Sequence, residues 1–148
     1  MITVTTSPTA NGPGDKANLL AGTKAHIEDV KHALQFFCQC LEEASKVHDH
    51  TKVDDIDDFY RDSEKGFDKL TSKPWWKKHL TERHHLNDHC PDDVNLVDVI
   101  EYICDCVMAG MARDGSVYEL KLKQGILEDA FQNTIKLLKG EIDLQKNR

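Results

Sequence analysis

The chain has 148 residues, of which 39% are hydrophobic and 30% are charged, and its formal net charge is −7. This length predicts one domain, large enough to bury roughly 68–70% of the surface that the unfolded chain exposes. The acidic balance argues against broad nucleic-acid binding through a basic surface, although it leaves room for a small nucleotide in a local site.

Residues 1–20, which are rich in Thr, Pro, Gly and Asn, are predicted to form a flexible N-terminal arm, and residues 21–148 a single helical domain. The first helix begins near residue 21, because apolar residues then recur at intervals of three and four: Ile27, Val30, Leu34, Phe37, Leu41 and Ala44. Similar spacing predicts four further helices, over about 55–70, 75–86, 96–112 and 120–142. Because no alternating strand of useful length appears, the predicted fold class is all-α with about five helices.

The five cysteines indicate a reducing compartment, since their number is odd and no secretory signal precedes them. No stretch approaches the length of a membrane span, so we expect a cytoplasmic protein with free thiols and no membrane contact. The alternative is a zinc site built from the pairs Cys38/Cys40 and Cys104/Cys106. Zinc sites more often use a Cys-x2-Cys spacing, which disfavours this alternative.

Three segments carry residue types that bind divalent metals. They are His48-Asp49 with Lys52, the pair His84-His85, and Glu101 with Asp105. Imidazole and carboxylate suit borderline and hard divalent ions, and a lysine one turn after an aspartate can meet a substrate phosphate. About one His-Asp pair is expected by chance in such a composition, so the ordered set carries the interpretation. Alone, His48-Asp49 is better explained as a histidine at a helix C-terminus, where it interacts with the helix dipole, followed by a turn aspartate.

Glu101 and Asp105 lie four residues apart and therefore share one face of the fourth predicted helix. A carboxylate beside the apolar stripe of that helix needs a partner. Either each forms an ion pair with Lys or Arg, or Asp105 binds a metal while Glu101 serves as ligand, as an orienting partner or as a base.

The histidine pair has two interpretations. Adjacent residues of a helix diverge by about 100°, so at most one of His84 and His85 is expected to lead directly into a given metal. The alternative is a surface pair beside a basic stretch. His79 is interpreted as a surface residue of the third predicted helix.

The order of these residues resembles that of the HD-domain phosphohydrolases: a His, then His-Asp-x-x-Lys, then His-His, then Asp. The resemblance is closer still to a family of uncharacterised small phage and prophage proteins related to that pattern, and it covers roughly residues 24–142. The matching stretches are His26-Ile27, His48-Asp49-His50-Thr51-Lys52, Glu82-Arg83-His84-His85-Leu86-Asn87-Asp88, the run from Asp93 to Glu101, and Asp105-Cys106-Val107-Met108 onward to Arg113.

This resemblance implies an all-helical fold in which separate helices aim His and Asp at one or two divalent metals that activate water. The ligands that it implies are His48, Asp49, His84 or His85, and Asp105. It also implies that Asp49 bridges the ions if two bind, and that Lys52 contacts phosphate. The mixed ligand set permits Mn, Fe, Ni, Co, Zn or Mg.

His26 corresponds to the first histidine of the pattern and is the sixth metal candidate. It precedes His48 by 22 residues (48 minus 26). In one unbroken helix this interval spans about 33 Å, so the two histidines share a metal only if the helix breaks between them.

The favoured function is a metal-dependent phosphohydrolase acting on a nucleotide or small phosphate ester, with Lys52 and Glu101 as catalytic candidates. The alternative is a non-catalytic, HD-like binding or regulatory protein of a phage or prophage, in the cytoplasm of a bacterial host, with a protein partner. A third hypothesis is a nucleic-acid enzyme or binder, which the net charge disfavours although 65–83 is locally basic. The oligomeric state is left open.

Overall fold

A computed structural model describes residues 1–6 and 15–146. Its elements are β1 (Ile2–Thr5), α1 (Lys16–Val47), α2 (His50–Asp54), α3 (Ile56–Ser63), α4 (Phe67–Leu70), α5 (Pro74–His79), α6 (Leu96–Asp114), α7 (Ile126–Gly140) and β2 (Ile142–Gln145). The all-α prediction is confirmed, because helices dominate and the one sheet among the described residues has two short strands. The chain divides into two compact units, 41–133 and the combination of 1–40 with 134–148, so neither unit begins at residue 21.

The smaller unit contains a two-stranded parallel sheet. β1 pairs with β2, with Ile2 opposite Ile142, and the Ile2 side chain is buried. Residues 2–5, predicted to belong to a flexible arm, are therefore a strand, and α1 begins at Lys16 inside the predicted arm. Four residues are too few for alternation to be recognised in the sequence. The remainder of the predicted arm, 7–14, lies outside the described residues.

α1 leaves much of its predicted apolar stripe accessible in this unit. Ile27, Val30 and Leu34 are 57%, 43% and 61% exposed. None of the described helices is both long and apolar enough to cross a lipid bilayer.

In the unit formed by 41–133, the predicted helix over 55–70 is divided. Gly66 adopts a φ of 98° and separates α3 from α4, a conformation that favours glycine because it has no Cβ. The predicted helix over 75–86 ends at His79. Beyond it, backbone amides bond three residues back, as from Glu82 to His79 and from His85 to Glu82, which makes successive turns instead of an α-helix.

α6 begins at a capping box. The Asn95 side chain accepts a hydrogen bond from Val97 N, and the Asp98 carboxylate accepts one from Asn95 N, each at 2.9 Å. The Arg83 guanidinium donates hydrogen bonds to the same carboxylate from two nitrogens, at 2.7 and 2.8 Å. This bidentate pair ties the turns before α6 to its first turn.

The core of this unit lies between those turns, α6 and the beginning of α7. Its buried members are Leu86, Val94, Val99, Ile126 and Ala130, against which Leu96, Tyr102 and Leu122 pack. The core thereby fixes the turns that carry the paired histidines against the helix that carries Glu101 and Asp105.

Candidate metal centre

Four segments of the unit formed by 41–133 bring metal-binding residue types together. His48 and Asp49 follow α1, and His79 is the last residue of α5. The histidine pair lies in the turns that follow, and α6 supplies the remaining carboxylates. The donor groups that result are Asp49 with His79, His84 and His85; His48 with Asp49 and Asp105; and His48 with His84 and Glu101.

Asp49 lies at the centre of the site. Over residues 1–6 and 15–146 it is the one non-glycine residue with a positive φ, 54°, a conformation that aspartate tolerates better than most residues. Its Oδ1 lies 3.5 Å from Nε2 of both His79 and His84. Its Oδ2 lies 3.6 Å from His48 Nε2 and accepts a hydrogen bond from the Lys52 ammonium. The two carboxylate oxygens therefore face different partners.

Two donor sets share this carboxylate. In the first, His79 Nε2 and His85 Nε2 are 2.9 Å apart on the Oδ1 side of Asp49. In the second, His48 Nε2 lies 3.5 Å from Asp105 Oδ1 on the Oδ2 side. Ligand atoms about 2.1 Å from one ion are roughly 3.0–3.4 Å apart, so both sets have the spacing that a divalent ion requires.

Glu101 orients two of the histidines. Its Oε1 lies 2.9 Å from His48 Nδ1 and 3.2 Å from His84 Nδ1. These distances are those of hydrogen bonds, and we therefore regard the group of His48, His84 and Glu101 as an orienting contact. A carboxylate on Nδ1 leaves Nε2 as the donor atom, the usual arrangement around metal-binding histidines.

The proton of His79 can be placed from its neighbours. Thr51 Oγ1 donates its only proton to Glu82 and lies 2.8 Å from His79 Nδ1, so it must accept from that nitrogen. Burial lowers the pKa of His79, and the charge of the nearby Lys52 lowers it further. The charges of Glu82 and Asp49 raise this pKa but are outweighed. A neutral imidazole with its proton on Nδ1 has a lone pair on Nε2, which faces the site.

Several acceptor atoms therefore face each other. The lone pair of His79 Nε2 lies 2.9 Å from His85 Nε2 and 3.5 Å from Asp49 Oδ1, another acceptor. Among the described residues, Asp49 Oδ1 and His84 Nε2 are buried without a hydrogen-bond partner. An unpaired buried polar atom costs about 1–3 kcal/mol, and a cation among these atoms removes that cost. The donor set thus fits a divalent ion.

The titratable side chains of the site have pKa values shifted in different directions from their ordinary values. Burial lowers the pKa of His84, but contacts with Asp49 and Glu101 outweigh it and raise the value to about 9. Burial, with the positive charge of His84, lowers the pKa of His85 to about 4. Burial raises the pKa of Asp49, but His84 and Lys52 outweigh it and hold that pKa well below its usual range. A proton on His84 thus supplies positive charge when no metal does.

The structure brings most of the predicted residues together. His48, Asp49, His84, His85 and Asp105 all belong to donor groups, and both Lys52 and Glu101 contact members of them. The expectation that only one of the paired histidines leads to a given metal is not met, because the pair lies in turns instead of a helix. Their ring centroids are 4.2 Å apart.

His26 is not brought to the others. It is exposed on α1, which runs unbroken from Lys16 to Val47, so the break that it requires does not occur. The cysteine pairs Cys38/Cys40 and Cys104/Cys106 belong to none of the donor groups found among the described residues, and all five cysteines are free.

His79 was the residue missed from the sequence. The interpretation of His79 as a surface residue is wrong, because its side chain is fully buried. It follows Trp75 by four residues, so the two share a helix face, and their rings stack with centroids 5.1 Å apart. That spacing from a buried tryptophan was the available signal.

A cavity of about 900 Å³ opens beside the donor groups. Its lining includes His48, Asp49, Lys52, His79, His85, Glu101 and Asp105. The site is therefore reachable by a small organic molecule.

A scan against protein-family models, a search of curated proteins and a search of solved structures found no match.

Proposed function

We propose that this protein is a metal-dependent hydrolase of phosphate esters. The observation that carries the proposal is the convergence of imidazole Nε2 atoms on the two oxygens of Asp49. The Glu101 carboxylate holds Nδ1 of His48 and His84, and a Thr51–Glu82 pair holds that of His79, so the Nε2 atoms face one space. Such second contacts orient ligands in metal sites.

The donor atoms favour particular metals. The set around His79, His84 and His85 offers three nitrogens and one carboxylate oxygen, and the set around His48 and Asp105 is richer in oxygen. Imidazole suits Mn, Fe, Co, Ni and Zn, whereas Mg prefers oxygen ligands. We therefore infer a transition-metal ion at the first set, with room for a second ion at the other.

Lys52 would bind the phosphate. Its ammonium contacts Asp49 Oδ2, and its side chain is 35% exposed beside the cavity. A point charge there meets a phosphate oxygen next to the donor groups. A divalent ion supplies Lewis acidity, which activates water and offsets the charge of the phosphate. Glu101, a catalytic candidate from the sequence, is assigned the role of a positioning residue because it holds His48 and His84.

The similarity to HD-domain phosphohydrolases and their phage relatives supports this proposal from the sequence side. Three of the ligands that this resemblance implies, His48, Asp49 and Asp105, form one of the donor groups. His79 extends that set beyond the predicted residues, and His26 falls outside it.

The proposal is tested by hydrolysis of p-nitrophenyl phosphate with each of Mn, Fe, Co, Ni, Zn and Mg supplied in turn. We expect turnover with at least one transition metal, and its loss by about 100-fold or more in Asp49→Asn. Asp57→Asn is the matched control, because Asp57 is exposed on α3 away from the donor groups. Turnover that survives Asp49→Asn unchanged contradicts the assignment.

A non-catalytic binding or regulatory role is the second candidate. The observation that favours it is the exposed apolar stripe of α1 at Ile27, Val30 and Leu34. A protein partner that still binds Asp49→Asn but not Leu34→Asp would identify this role.

A further inference from the structure

The cavity beside the donor groups has its carboxylates and histidines at one end and the Arg113 guanidinium at the other, with mainly apolar side chains between them. On α6 its lining recurs every four residues, at Glu101, Asp105, Ala109 and Arg113. This spacing places one continuous strip of the helix along the cavity. From Asp105 to Arg113 the strip spans about 12 Å, and the side chains between them are small or apolar.

The end of α1 forms another part of the cavity wall. Leu41, Ala44 and Ser45 line the cavity before His48. Two of these three are apolar, so this wall is mainly apolar, as is the part of the α6 wall between Asp105 and Arg113.

Tyr118 also lines the cavity beside α6. A Cβ at Gly110 would lie 3.2 Å from the Tyr118 ring and 2.5 Å from Ser116 O, so only glycine allows this segment to approach the helix. The Tyr118 hydroxyl donates to Asp114, which uses its proton.

Beyond the donor groups, the cavity lining offers the Arg113 guanidinium but few other hydrogen-bonding groups. The Ser45 hydroxyl donates to Glu42 O at 2.7 Å, so its proton is also used. A site that selects a sugar or a base needs aimed donors and acceptors, because those groups distinguish it from an apolar analogue. The apolar residues that line the cavity include Leu41, Ala44, Ile100, Cys104, Met108, Ala109 and Leu120.

We propose that the substrate is a phosphate ester of an apolar alkyl or aryl group and not a nucleotide. This inference rests on the function proposed above. The phosphate lies at Lys52 and the donor groups, and the apolar body lies along Met108 and Ala109 toward Arg113. The cavity volume of about 900 Å³ accommodates such a molecule.

The test is a series of n-alkylphosphonates, from methyl through butyl to octyl, titrated calorimetrically into the full chain with saturating Mn²⁺. Phosphonates keep the charged end and are not hydrolysed. Affinity should rise by up to about fourfold per methylene, and the rise should stop when the chain spans the apolar strip. AMP should bind more weakly than octylphosphonate.

A cavity-filling variant localises the effect. Ala109→Phe should keep methylphosphonate affinity within about twofold and lose most of the gain from methyl to octyl. Ile103→Phe is the control on the same helix, since Ile103 is exposed and does not line the cavity. It should leave the whole series unchanged.

The outcomes separate the two proposals. If methylphosphonate binds but chain length has no effect, or if AMP binds more tightly than octylphosphonate, the apolar substrate class is wrong and the metal site stands. A gain with chain length that Ala109→Phe does not alter places the apolar body elsewhere and overturns the inference. If no phosphonate binds, both proposals fail.

Discussion

Asp49 Oδ1 and His84 Nε2 face each other 3.5 Å apart, and both atoms are buried without a hydrogen bond. A proton on His84 or a metal ion can compensate this contact, but not both at one nitrogen, because a histidine ligand must be deprotonated there. Protons and metal therefore compete at this site.

Metal binding should release protons near neutral pH. With a pKa of about 9, His84 is protonated at pH 7 in the metal-free chain and must lose that proton to bind. Affinity should strengthen as pH rises toward 9, by up to about tenfold per pH unit. Calorimetry at pH 7 in two buffers of different ionisation enthalpy measures the release, expected to be close to one proton. An affinity independent of pH between 6 and 9 is incompatible with this competition.

The metal-free chain should lose stability as pH rises. A folded-state pKa above the ordinary 6.5 stabilises the fold below that pH, and the contribution disappears as pH rises through about 9. The effect of His84 is at most roughly 3 kcal/mol. Urea denaturation with EDTA at pH 6.5 and 9 measures this effect, and His84→Gln should reduce the difference in unfolding free energy between the two pH values.

His85, with its pKa lowered to about 4, should act oppositely, destabilising the fold as pH falls from 6.5 toward 4.

Glu101→Gln should weaken metal binding without unfolding the protein. Glu101 holds Nδ1 of both His48 and His84, and removal of such an orienting carboxylate costs about 10–100-fold in metal affinity. Thr51→Val should act similarly through His79, whereas Thr51→Ser keeps the hydroxyl and serves as its control. Competition with a metal-sensitive dye gives the affinities. Wild-type affinity in both Glu101→Gln and Thr51→Val refutes the orienting role.

Asp98→Ala should destabilise the unit formed by 41–133. Asp98 is 3% exposed, completes the capping box of α6 and accepts two bonds from Arg83, so its loss removes the cap and leaves the partly buried guanidinium with only its exposed contact to Asp93, at a cost of about 3 kcal/mol. Asp93→Ala is the matched control, because the Asp93 side chain is 78% exposed and its bond to Arg83 is worth less than about 1 kcal/mol. Urea denaturation measures the free energy of unfolding of both variants. Equal losses would show that the burial of Asp98 does not determine the cost of removing it.

The sequence predicted α6 well because two independent signals agree there. Asn95 and Asp98 form the capping box, and apolar spacing continues to the end of the helix. β1 and β2 were missed because each has four residues and the pairing joins opposite ends of the chain. Such a contact leaves no local pattern.

The candidate site was predictable in its order but not in its geometry. Residue type and order indicated His48, Asp49 and Asp105, which the structure groups together. His79 was missed because its surroundings depend on Thr51 and Glu82, and the Thr51–His79 contact joins residues 28 positions apart. Helix propensity predicted a third helix over 75–86. In the structure α5 ends at His79, and successive turns follow it.

The most direct measurement is the binding of Mn²⁺ to the wild-type protein, to Asp49→Asn and to Asp57→Asn by equilibrium dialysis at pH 8. We expect bound metal in the wild type and in Asp57→Asn, and a loss of at least 100-fold in affinity in Asp49→Asn. Equal binding by all three proteins, or binding by none of them with Mn²⁺ and likewise with Fe²⁺, Co²⁺, Ni²⁺ and Zn²⁺, would contradict this expectation.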